Sequence, residues 1–195
     1  MVVTVETDIV NGSPQFDLVG LGGSAVKEVR DRVRAALRNA GYDYPMQRIT
    51  VNLAPADQRK EGSGFDLAIA FGILLASKPK QMLSREERIL VLGELALDGS
   101  LRPVTGVFPI LLKAKNAGFT HVILPEQNAA EARLVDITVL PASNLEEAVS
   151  YWKEGLVRIS FMRCSRSSFS RLIFWICFSK SVKVMMLLRK RSRIL

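Results

Sequence analysis

The stretch Arg48 to Leu74, RITVNLAPADQRKEGSGFDLAIAFGIL, decides the fold of this chain. Its opening, Ile49-Thr50-Val51-Asn52-Leu53, is a β-branched, alternating run that predicts a buried strand ending at Ala54-Pro55. A charged loop follows, Asp57-Gln58-Arg59-Lys60-Glu61, and then the small triplet Gly62-Ser63-Gly64. The chain next enters an apolar segment over 65–76 that predicts a helix opening on Asp66. A strand, a polar loop and a helix N-terminus in this order make a common kind of site, because orphan N–H groups at the helix end face the loop.

The same alternation of strand and helix extends in both directions. Upstream, Val2 to Val10 and Phe16 to Gly20 predict two strands separated by the breaker Asn11-Gly12-Ser13-Pro14. A helix follows, with Ser24 as its cap, Val26, Val29, Val33 and Leu37 on one face, and an end at Gly41. Downstream, Arg88 to Leu97 predicts a strand that Asp98-Gly99 turns into a hairpin with Leu101 to Val104. Helices are then expected over 107–117, over 126–134 and over 145–152, the last capped near Ser143. Strands over 121–124 and 137–140 lie between them. The expected fold class is α/β (α+β), a mixed sheet with crossover helices.

Charge divides the chain into two parts. The net charge of +8 on 195 residues looks like a nucleic-acid signal until it is located. From Gly155 to Leu195 there are ten Lys/Arg and no acid, and removing them from 27 leaves 17 bases against 19 acids in residues 1–154. The body is therefore slightly acidic. The expected organisation is one domain over 1–155 and an aberrant basic tail over 156–195. Both cysteines, Cys164 and Cys177, lie in that tail, so there is no disulfide framework or zinc spacing in the body. The N-terminus lacks a basic n-region and a long apolar core. The longest apolar run, Leu172 to Phe178, is far short of the roughly 20 residues a membrane helix needs. The reading is cytoplasmic, with no membrane partner.

Several motifs have plain structural explanations. Gly20 to Ala25 fits G-x-G-x-x-G/A with Asp43 about 20 residues on, the outline of a dinucleotide site. A strand precedes it in the sheet, however, and Asp43 sits in a turn, so a Gly-rich strand-to-helix turn is the better reading. No G-x-x-x-x-G-K-[ST] motif occurs, so the chain has no phosphate-cradling P-loop. His121, the one histidine, is expected in an edge or turn role. Glu126, Glu131 and Asp136 read as solvated, and Arg30, Arg32, Arg34 and Arg38 as an exposed helical face. No aromatic platform is evident beside those arginines, so a nucleic-acid role for them is weak.

Four blocks carry a family resemblance: FDLVGLGGSAVKEVRDRVRAALRNAGY, RITVNLAPADQRKEGSGFDLAIAFGILLAS, GELALDGSLRPVTGV and HVILPEQNAAEA. In collinear order they resemble the N-terminal domain of the Mg-chelatase-like AAA+ ATPases, the ComM/YifB competence-protein group. The resemblance implies a fold like the Lon proteolytic domain, shared with the second domain of a small-subunit ribosomal protein. Lon-type proteases use a serine nucleophile in a D-G-P-S-A-G loop and a lysine after a G-E-[IL]…P-I-G-G-L-K block. Laid over this chain, the nucleophile position is Gly64, with Ser63 in place of the proline, and the lysine position is Phe108. Lys113 and Lys115 lie one to two turns beyond. The resemblance therefore implies no catalytic residues, no enzyme activity, and no cofactor for this chain, ATP and magnesium belonging to the motor domain of the family.

What the family implies instead is self-association in hexamers and DNA engagement in recombination and natural transformation. The candidate contacts to DNA or a partner are Arg59, Lys60 and Arg102. No small-molecule substrate is indicated. The run Val182 to Lys190 can be back-translated so that a shifted phase reads SHDAAKK, similar to the G-[QH]-[ED]-x-A-K-[RK] stretch that opens the family's ATPase module. The tail is accordingly expected to be an out-of-frame remnant, disordered or poorly packed. The alternatives are a Lon-like serine peptidase with a displaced nucleophile and a basic-tailed nucleic-acid-binding protein.

Overall fold

A computed structural model describes residues 2–55, 64–77, 89–152 and 182–187. The chain begins with β1 (Val2–Val10) and β2 (Gln15–Val19), followed by α1 (Gly23–Asn39), β3 (Arg48–Ala54) and α2 (Asp66–Ser77). Next come β4 (Ile89–Val91), the short hairpin of β5 (Glu94–Leu95) and β6 (Leu101–Arg102), and α3 (Val107–Asn116). The order then runs β7 (His121–Pro125), a 3-10 turn (Glu126–Asn128), α4 (Ala129–Ala132), β8 (Thr138–Ala142), α5 (Leu145–Ser150) and β9 (Val182–Leu187).

Seven strands form one mixed sheet in the order β2-β3-β1-β9-β4-β7-β8. Only β1 runs against its neighbours, pairing antiparallel with β3 and with β9, while every other pairing in this sheet is parallel. Alternation explains how β1 and β3 sit: Val3, Val5 and Thr7 are buried on the same face as Ile49, Val51 and Leu53. Helix α2 covers this face and is apolar nearly all round, with Asp66 to Leu75 buried. Its axis comes close to β1 at Gly72, where an added Cβ would overlap the Thr7 hydroxyl. Helix α1 packs on α2, and its Val29, Val33, Ala36 and Leu37 are buried. These residues and the buried parts of β4, β7, β8, α3 and α5 belong to a single core.

The structure departs from the sequence reading at four places. Helix α1 starts from Gly22 with no side-chain cap, not from Ser24. The strand expected over 88–97 breaks at Leu92-Gly93, because Gly93 turns its backbone to the start of α2. The helix expected over 126–134 is a 3-10 turn and a short α-helix, whereas α5 is capped near Ser143 as expected, by Asn144, whose Oδ1 accepts from Glu147 N at 2.8 Å. The fourth departure is β9. Residues 182–187, expected in a poorly packed tail, lie between β1 and β4, with Val2 to Thr7 in register against Leu187 to Val182. A β-branched and apolar run accepts such a slot; the tail's remaining residues lie outside those described.

Candidate functional site

The turn from β3 into α2 is built on backbone hydrogen bonds to the strand after β4. Gly93 N donates to Gly64 O at 3.4 Å, and Leu67 N donates to Gly93 O at 3.2 Å. Phe65 is buried beside them, so the loop's end is pinned into the core. Loop residues 56–63 lie outside the described residues, and with them Arg59, Lys60 and Ser63. The two positions that match a Lon-type dyad hold Gly64, which has no side chain, and Phe108, at the first turn of α3. Phe108 N donates to Glu131 Oε1 at 2.8 Å, while its ring is 39% exposed. Further along α3, Lys115 is engaged with Asp136 at 2.9 Å and Lys113 is exposed.

The charged group beneath this turn is Asp66, whose carboxylate is fully buried at the N-terminus of α2. It accepts from Arg32 Nε at 2.8 Å and Nη2 at 3.3 Å, and from the backbone N–H of Leu95. Burial pushes its pKa up to about 6, against the opposing pull of the Arg32 hydrogen bond and charge. Arg32 is raised in turn, chiefly by its hydrogen bond to Asp66. Arg32 therefore does not belong to the exposed arginine face. It joins α1 to α2, and the i,i+4 acid Glu28 stands 3.7 Å away on its other side.

Arg102 lies on the β5–β6 hairpin, 63% exposed and 3.5 Å from Glu94 across the two strands. An exposed pair of this kind contributes little to stability. The acids read as solvated have partners. Glu126 accepts from Ser143 Oγ at 2.8 Å, Glu131 caps α3 through Phe108 N, and Asp136 holds Lys115. Asn128, which the sequence did not single out, is buried and binds both polar atoms of Val104, Oδ1 from N–H and Nδ2 to the carbonyl, each at 2.9 Å. A buried amide that answers both backbone groups of one residue cannot be found from spacing. His121 opens β7, which is an interior strand and not an edge, and its Nδ1 lies 2.8 Å from Thr120 Oγ1. The Gly20 to Ala25 turn leads from β2, an edge strand of the described sheet, and Asp43 is exposed beyond α1.

No helix among the described residues is long and apolar enough to cross a membrane. The family model described as subunit ChlI of Mg-chelatase matches residues 5–128. Competence protein ComM of Haemophilus influenzae is 52% identical over 133 residues, 68% of this chain and 26% of its own length. YifB of Escherichia coli is 45% identical over 153 residues, 78% of this chain and 30% of its own. Lon protease 1 of Thermus thermophilus is 29% identical over 147 residues, covering 71% of this chain and 18% of the protease. The chain thus spans about 26–30% of the length of these ComM and YifB relatives. By the match to that family model and by its identity to ComM and YifB, the chain belongs to the ChlI Mg-chelatase-subunit family, among the relatives of ComM and YifB.

Proposed function

We propose that this chain is a non-catalytic accessory domain of the ComM-like kind, which engages DNA and adjacent copies for an ATPase motor of the family's kind. The observation that supports this best is the pairing of high identity to ComM with glycine and phenylalanine at the two dyad positions, Gly64 and Phe108. A Ser–Lys dyad needs its partners within hydrogen-bond reach, about 2.6–3.2 Å. Lys115, the nearest described lysine with a fixed partner, is committed to Asp136. ATP and magnesium belong in this reading to the motor of the longer relatives, since this sequence has no P-loop motif. The contacts to DNA or partner include the loop cations Arg59 and Lys60 together with Arg102, and the setting is the cytoplasm.

Three assays on the full chain test the reading. Incubation with casein and with ATP should give no turnover above buffer, and a serine-reactive phosphonate should leave Ser63 unlabelled. Labelling of Ser63 with peptide turnover lost in Ser63→Ala would replace the accessory reading by a Lon-like peptidase. Titration of labelled single-stranded DNA should give saturable binding that weakens as salt rises.

A further inference from the structure

Helix α1 turns two different faces outward from its core contact. At about 100° per residue, Lys27, Arg34 and Arg38 fall within about 20° of a single direction and Arg30 within about 60° of it. Of the buried positions, Val29, Val33 and Ala36 lie about 120–180° away from that direction and Leu37 about 80° away, close to the Arg30 side of the stripe. Lys27 and Arg38 are exposed, and Arg30 and Arg34 are partly so. One carboxylate shares the stripe: Asp31, 2.9 Å from Arg30 and held below the usual carboxylate range by that hydrogen bond. Glu28 is turned to the side, toward Arg32. Four cations against one anion make a local excess of three positive charges on a body that is otherwise slightly acidic.

Placing like charges four apart on a helix costs stability, a few tenths of a kcal/mol per pair. Among the described residues, no ion pair compensates Lys27, Arg34 or Arg38. What holds Arg34 is an aromatic ring, with its guanidinium carbon 5.6 Å from the centroid of Tyr44. Its Nε is shielded from solvent and has no hydrogen-bond partner. The loop before β3 thus brings beside the arginines the aromatic that sequence reading did not find there. It fixes a guanidinium without neutralising it.

We propose that the Lys27–Arg30–Arg34–Arg38 face of α1, with Arg34 set by Tyr44, is a sequence-independent contact for the phosphate backbone of DNA. The inference rests on the DNA-engaging reading above and gives it a described surface, apart from the loop at Arg59 and Lys60. From Lys27 to Arg38 the stripe runs about 16 Å along the helix, at 1.5 Å per residue. That is long enough to meet several successive backbone phosphates. Charge complementarity is the argument for the occupant, since a row of four cations that outnumbers its single carboxylate suits a polyanion.

The test uses the full chain and a labelled single-stranded oligonucleotide of about 20 nucleotides, longer than the usual site. Anisotropy titrations over a range of salt give the slope of log affinity against log salt. The variant R30Q/R34Q/R38Q should flatten this slope by about 2, near 0.7 per phosphate contact, and weaken binding about a hundredfold at about 0.1 M salt. K27Q/R38Q, which leaves the Tyr44 contact in place, should flatten it by about 1.4. Arg and Gln have similar helix propensities, so both variants should keep the wild-type circular dichroism. R48Q, a cation on β3 paired with Asp17, should change nothing. Wild-type binding with an unchanged slope in both stripe variants would overturn the α1 surface and leave DNA engagement elsewhere intact. If the wild type fails to bind the oligonucleotide at all, the accessory DNA reading falls and the stripe with it.

Discussion

Asp66 is the residue on which the loop-to-helix turn depends, and its chemistry fixes a pH dependence. Its pKa rises on folding from an ordinary carboxylate value to about 6, because burial disfavours the charged form. The native state therefore holds this proton more tightly than the unfolded chain does. The resulting stability is fully present below about pH 4 and is lost as pH rises through about 6. Across that window the group accounts for about 3 kcal/mol. Urea denaturation of Asp66→Asn should lack this loss between about pH 4 and pH 6, with the wild type as reference; an identical pH profile in both would refute the assignment. Arg32→Gln should behave oppositely to a surface substitution. It leaves a buried carboxylate without its cation and should cost about 3–5 kcal/mol at neutral pH, and clearly less near pH 4.

At the scale of elements, the contact between α2 and β1 is set by the absence of a side chain. Gly72 lets the helix approach until Thr7 sits against its backbone, and a methyl group there would also press on Thr7 Cβ at 3.3 Å. Gly72→Ala should therefore destabilise by about 1–3 kcal/mol, although alanine is the better helix former. Adding Thr7→Ala should recover part of the loss, a non-additivity that thermal melts of the two singles and the double would reveal. Nearly every strand and helix that borders the turn was legible in the sequence. Period-2 alternation in β1 and β3, and the apolar length of α2, report burial directly. The splits were not legible. A break at Gly93 depends on bonds to Gly64 and Leu67, and the 3-10 turn before α4 contains Asn128, fixed to Val104 from 24 residues away. Of the candidate contacts, only Arg102 falls on a described element, and it stands beside Glu94. The arginine face was read as four equivalent residues, but helical phase separates Arg32, which joins Asp66, from Arg30, Arg34 and Arg38.

For the whole molecule, β9 matters most. It lies outside the segment that matches the ChlI family model, residues 5–128, yet occupies the middle of the seven-stranded sheet. Its antiparallel ladder with β1 runs over Val2 to Thr7, and Leu90 of β4 stands opposite Met185. Proline at an interior strand position removes a ladder donor. Val184→Pro should therefore lower the melting temperature and hasten aggregation on heating, because β1 and β4 then present unpaired edges. A melt and light-scattering trace like the wild type's would show that the sheet does not depend on β9. Net charge misled at this scale in one respect and informed in another. The excess of +8 belongs to the tail by composition, but the body, net −2 over residues 1–154, still gathers four cations on one face of α1.

The sheet order also sets a timetable. β2, β3 and β1 come from residues 2–55, and β4, β7 and β8 from residues 89–142, so each half can pair within its own stretch of chain. Among the described strands, only β9 bridges them within the sheet. During synthesis both half-sheets emerge with one flank open, and the seam closes when residues 182–187 arrive. Until then, β1 and β4 are the surfaces a nascent chain must keep from other strands, and closure of the seam is the long-range, late step of folding.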